Sequence, residues 1–82
     1  MKLTNTNWKE KDGALCCTID TEGYLDAVAI VVKIAMLAEK HKHHPTITLG
    51  YNTVDISLTT HDAGNAITDK DRKLADAISA DV

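Results

Sequence analysis

From Ala14 to Ile19 the chain alternates, with Leu15, Cys17 and Ile19 on one side, the period of a strand covered on one face. Trp8 to Lys11 precedes it as a second short strand, and Asp12-Gly13 between the two is a hairpin signal. From Tyr24 to about Lys42 the period becomes helical. Leu25, Val28, Val32, Ala35 and Glu39 form one stripe of this helix. Ala27, Ile30, Val31, Ile34, Leu37 and Ala38 widen it, while Asp26, Lys33 and Lys40 recur on the other side. So broad an apolar surface predicts burial on two sides, by the helix's own sheet and by neighbours. Asp20 or Thr21 is expected to cap its start, and Pro45 to end it while forcing His44 out of the α region.

Thr46 to Tyr51 alternates again, with Ile47, Leu49 and Tyr51 on one face, and a tight turn at Tyr51-Asn52 leads into Thr53 to Thr60. There Val54, Ile56 and Leu58 share one face and Thr53, Asp55, Ser57 and Thr59 the other, where parity also puts His61. Residues 62–65 read as a loop. Thr68-Asp69-Lys70-Asp71 resembles a capping box opening a helix from Asp69 to about Asp81, with Leu74, Ala75 and Ile78 toward the core. The order β-β-α-β-β-α predicts an α+β fold: a four-stranded antiparallel sheet with two helices packed on one face. One of the strands Ala14–Ile19 or Thr53–Thr59 is expected at a sheet edge. Met1 to Asn7 is polar and expected to be loose.

Composition narrows the classes. With 82 residues, 44% hydrophobic and 26% charged, the expectation is one globular domain over residues 1–82, with a core small enough to favour a homodimer or homotetramer. A formal net charge of −3 supplies no basic field for a phosphate backbone, which argues against direct nucleic-acid binding. The most apolar run, Leu25 to Ala38, is too short for a bilayer and is interrupted by Lys33, so no membrane partner is expected. The first residues carry no apolar run, so no leader of the secretory kind is expected. Cys16 and Cys17 are adjacent, point to opposite sides of a strand, and read as reduced packing thiols of a cytoplasmic protein.

All four histidines and the only proline fall between His41 and His61. Imidazole exchanges protons near neutral pH, so His43, His44 and His61 could line a pocket and work as acid and base. They could with His41 bind zinc, although the spacing matches no standard zinc motif. They could also be solvated surface groups after a helix.

Glu39-x-x-x-His43-His44-Pro45, then Tyr51, His61 and Asp71, resembles the signature of the pterin-4a-carbinolamine dehydratases. Thr59-Thr60-His61-Asp62-Ala63-Gly64 and Ile67-Thr68-Asp69-Lys70-Asp71 extend the resemblance, and Trp8, Leu15 and Tyr24 to Ala27 fit more loosely. The resemblance implies a hydro-lyase that dehydrates a 4a-hydroxytetrahydropterin to quinonoid dihydropterin and water, in tetrahydrobiopterin recycling, without metal or cofactor. It carries the catalytic and pterin-contacting roles to His43, His44 and His61. Glu39 and Asp71 become substrate-site residues acting as orienting partners or charge tuners, and the backbone near Pro45, Thr59 and Thr60 lines the ring. Beside this, Asp71 reads more simply as a helix cap, Tyr51 as packing and His41 as surface. Lys42 stands where the family often has an acidic residue. The alternative the resemblance offers is a non-catalytic dimerisation or coactivator module that binds a transcription factor.

Overall fold

The computed structural model describes residues 7–82, so the expectation of a loose start over Met1 to Asn7 lies, but for Asn7, outside the described residues, and Asn7 belongs to no helix or strand. The elements run β1 (Lys9–Lys11), β2 (Ala14–Asp20), α1 (Tyr24–His41), β3 (Thr46–Leu49), β4 (Thr53–Leu58), a 3-10 turn at His61–Ala63, and α2 (Asp69–Asp81). The sheet is antiparallel throughout, in the order β1-β2-β4-β3. Asp12 and Gly13, both at positive φ (52° and 79°), make the β1–β2 turn that their sequence predicts.

The register explains the core. Leu15 faces Leu58, Cys17 faces Ile56 and Ile19 faces Val54, so the apolar sets of β2 and β4 lie on one face, and all six are buried. Ile47 continues that face on β3. Ala27, Ile34 and Ala38 of α1 and Leu74, Ala75 and Ile78 of α2 close over it. Each fully buried aliphatic side chain here contributes roughly 1.5–3 kcal/mol. On the open face Thr18 Oγ1 donates to Asp55 Oδ1 (2.5 Å) across the two central strands. Burial first, then the Asp55 carboxylate, raises the Cys17 thiol above its ordinary pKa, so it packs as a neutral group.

Several expectations are corrected. The strands Ala14–Ile19 and Thr53–Thr59 are not edges: β2 and β4 are the two central strands, and β1 and β3 are the edges. The reason is burial, because β2 and β4 carry the longest apolar sets while β1 is Lys-Glu-Lys with every residue exposed. The stripe of α1 that begins at Leu25 faces outward: Leu25 is 82% exposed and Val32 54%, and Ala35 and Glu39 are exposed too. The set that seemed only to widen it makes the core contact. Neither Asp20 nor Thr21 caps α1. The cap position is Gly23, and the Thr21 hydroxyl donates to the Gly23 carbonyl (2.9 Å). Pro45 does not itself end the helix. Lys42 does, in the left-handed conformation (φ 53°, ψ 41°), with its N–H donating to the Glu39 carbonyl and the His43 N–H to the Ala38 carbonyl. These two bonds are those of a Schellman motif.

Candidate functional site

Three chain ends converge on one side of the sheet: the end of α1, the end of β4 and the start of α2. The Schellman turn reverses the chain at Lys42 and aims His43 back toward α2. β4 ends at Leu58, but a bridge between Thr60 and Ala66 closes the next residues into a loop, with Thr60 N–H donating to Ala66 O (3.0 Å). His61 starts that loop, exposed, and the strand parity that assigned it to the polar face ends before it. Between these segments lies a cleft of about 240 Å³ lined by His43, His44 and His61, with Thr59 and Thr60 on its wall. Lys42, Asp62 and Lys70 complete it. A roomier hollow, about 320 Å³, opens by Lys9, Lys11 and Cys16 on the uncovered sheet face, but it gathers no acid and base together.

Each of the three cleft histidines has one ring nitrogen held by an oxygen. His43 Nε2 meets Asp71 Oδ1 at 2.5 Å, His44 Nε2 meets Glu39 Oε2 at 2.5 Å, and His61 Nδ1 meets Asn65 Oδ1 at 2.8 Å. A carboxylate or amide oxygen only accepts, so those nitrogens carry the proton in the neutral ring. The second nitrogen, Nδ1 of His43 and His44 and Nε2 of His61, then has the lone pair. The three supports differ. Glu39 and His44 are both largely exposed, a weak surface pair. Asn65 is neutral. Asp71 has no exposed side-chain surface, and His43 is only 12% exposed.

Asp71 is built into a network. Its Oδ2 accepts the Thr68 N–H (2.9 Å), the capping-box bond expected at this helix start, and the Thr60 hydroxyl (2.8 Å). Having given its only proton to Asp71, Thr60 must accept one from Thr68 Oγ1 at 2.7 Å. Burial alone pushes the Asp71 carboxyl up, but the bonds from His43, Thr68 and Thr60, with the charge of His43, hold it below its ordinary value. The carboxylate is thus ionised behind His43.

The residues named from sequence therefore fall into distinct places. His43, His44 and His61 share the cleft; Glu39 and Asp71 stand behind His44 and His43. Thr59 and Thr60 line the cleft, yet their hydroxyls are turned away, to the Gly13 carbonyl (2.9 Å) and to Asp71. Pro45 is half-buried and does not line it. Tyr51 does not pack: it is 77% exposed at the β3–β4 turn, where Asn52 accepts from Thr21 at the opposite end of the sheet. His41 is exposed, as expected. Asn65 was missed, although it follows His61 at a spacing a tight loop could use, and Thr68 was expected only as a helix cap and not as a partner of Thr60. Among the described residues no group of three or more His, Cys, Asp or Glu could hold a metal ion, and no helix is long and apolar enough to cross a membrane.

Comparison with known proteins gives the chain's relatives and its fold. The family model for pterin 4 alpha carbinolamine dehydratase matches residues 1–80. A protein of Thermomicrobium roseum provisionally named pterin-4-alpha-carbinolamine dehydratase is 43% identical over 76 residues, covering 88% of this chain and 81% of its own. One of Chloroflexus aggregans with the same provisional name is 45% identical over 69 residues, covering 84% and 72%. Among solved structures, a transcriptional coactivator/pterin dehydratase from Brucella melitensis superposes with a TM-score of 0.82 at 31% identity, over 93% of this chain and 82% of that one. A pterin dehydratase-like RuBisCO assembly factor of the alpha-carboxysome shares the fold, with a TM-score of 0.71 at 21% identity over 98% and 88%.

Proposed function

The chain belongs to the pterin 4 alpha carbinolamine dehydratase family, and on that premise we propose that it dehydrates a 4a-hydroxytetrahydropterin to the quinonoid dihydropterin. The observation that carries this reading is the convergence of His43, His44 and His61 on one cleft, with His43 backed by a buried carboxylate. In the reaction the C4a–O bond breaks, the departing hydroxyl takes a proton, and ring N5 gives one up, so one water leaves. One group must donate and another accept.

The supports of the rings divide these roles. Ionised Asp71 compensates the positive charge that forms when His43 Nδ1 takes the N5 proton. The neutral amide of Asn65 offers His61 no such compensation, so protonated His61 is the better donor to the leaving hydroxyl. His44, exposed and paired with Glu39, serves in holding the ring, alongside the walls at Thr59 and Thr60. Proton transfer between these groups requires no metal, and the role would be tetrahydrobiopterin recycling in the cytoplasm, a setting that the free thiols of Cys16 and Cys17 suit.

The chain is also proposed to work as a homodimer or homotetramer, on the strength of the outward apolar stripe of α1 and the β3 edge. That same stripe is what favours the second reading, a dimerisation or coactivator module, to which the histidine–Asp71 network would be irrelevant. Stopped-flow absorbance of a freshly generated 4a-hydroxytetrahydropterin separates the two. Dehydration well above the spontaneous rate is expected, and a rate equal to the blank would leave only the module. Activity should survive exhaustive chelation; loss that zinc reverses would refute the metal-free scheme.

A further inference from the structure

Two lysines line the cleft from opposite segments, Lys42 after α1 and Lys70 in the first turn of α2. Each stands where its local backbone favours another residue. Lys42 holds the left-handed position that ends helices, where glycine is the unstrained choice. Lys70 puts a cation at the positive end of a helix, where the macrodipole disfavours it. Nothing in the fold's own hydrogen bonding uses either ammonium group among the described residues.

The charge around them is equally uneven. The chain as a whole is −3, yet the fixed charges lining the cleft are Lys42 and Lys70 against Asp62, positive before any histidine is protonated. Two further carboxylates, Glu39 and Asp71, stand behind this lining, so the positive excess belongs only to the groups that line the cleft itself. Glu39 is engaged with His44 outside the cleft, and Asp71 is enclosed behind His43. On the dehydratase reading the histidines meet the reacting ring atoms, which leaves the two lysines that line the same cleft for whatever projects from the ring. Their flexible stems let both heads follow one substituent.

We propose that Lys42 and Lys70 form a subsite for an anionic group, a phosphate monoester or a carboxylate, on the side chain of the pterin. The inference rests on the dehydratase reading for its substrate class, but it predicts binding and so can be tested apart from turnover. The probes are oxidised pterins that undergo no dehydration, bearing a methyl, a carboxyalkyl or a phosphorylated hydroxymethyl group at C6. Their affinities would be measured by fluorescence titration.

At low ionic strength the phosphorylated pterin should bind roughly tenfold tighter than the methyl one, the scale of two exposed ion pairs. In Lys42→Gly/Lys70→Gln, or in about 0.5 M salt, the advantage should shrink toward onefold. The carboxyalkyl probe identifies the anion: a gain equal to that of phosphate marks a carboxylate-competent site, and a smaller one a phosphate site. Equal affinities for charged and neutral pterins in the unmodified protein would overturn the subsite. So would an advantage that persists in the double variant. Failure of the neutral carbinolamine to be dehydrated would instead count against the dehydratase reading, with the affinity ratio still deciding the subsite.

Discussion

The carboxylate of Asp71 accepts from His43 on one oxygen and from Thr68 N–H and Thr60 Oγ1 on the other, with no exposed surface. Replacing it by Asn turns one of those acceptors into a donor facing donors. Asp71→Asn should therefore cost about 2 kcal/mol at pH 7. Because the folded carboxyl titrates below its unfolded value, the ionised group adds stability at pH above roughly 4. That contribution drains away as pH falls through the folded value. Urea denaturation from pH 7 downward should show the gap between variant and parent closing in acid, whereas a gap independent of pH would refute the charge-based account. For catalysis, His43→Ala and His61→Ala should each lower dehydration by about 10²-fold or more. Parent-like stopped-flow rates in both would end the acid/base assignment.

At the scale of elements, the site depends on turns with positive φ, of which Lys42 and Gly13 are two. Lys42 carries a side chain in the left-handed region that closes α1, so Lys42→Gly should stabilise the fold by about 0.5–1 kcal/mol. Gly13 is the opposite case. It has φ 79°, and a Cβ there would stand 2.4 Å from the Asn65 carbonyl oxygen, in the loop that holds His61. Gly13→Ala should lose about 2 kcal/mol and also disturb His61 through Asn65. Thermal melts of the two variants should move in opposite directions. A Gly13→Ala protein as stable as the parent would show that the hairpin turn and the His61 loop are not pressed together in solution.

For the whole molecule, the outer face of α1 is the apolar surface that assembly would bury. Leu25 (82% exposed), Val32 (54%) and Met36 (69%) form an apolar stripe that neither sheet nor α2 covers. The two edges of the sheet also differ: β1 is short and charged, which discourages pairing, while β3 is Thr-Ile-Thr-Leu. Sedimentation equilibrium should find an assembly heavier than the 8.9 kDa chain. Val32→Glu should shift it toward smaller species if the helix face is the contact. A single 8.9 kDa species in the parent would show that the stripe stays in water.

What the amino-acid sequence determined by itself is whatever acts within a few residues. The alternation of β2 and β4, the Asp12-Gly13 turn, the Asp71–Thr68 capping bond and the histidine-rich end of α1 are all local, and all stand where the pattern puts them. The resemblance to the family added only the proposed roles of His43, His44 and His61. Tertiary structure decided the strand order, because any of the four strands can pair with another and burial puts β2 and β4 together at the centre only when the sheet is assembled. It decided which of two apolar stripes on α1 meets the core, since both satisfy a helical period. It also decided that Thr59 turns to Gly13, 46 residues away, and His43 to Asp71, 28 away. Such contacts depend on how the folded elements stack, and no window of sequence holds both partners.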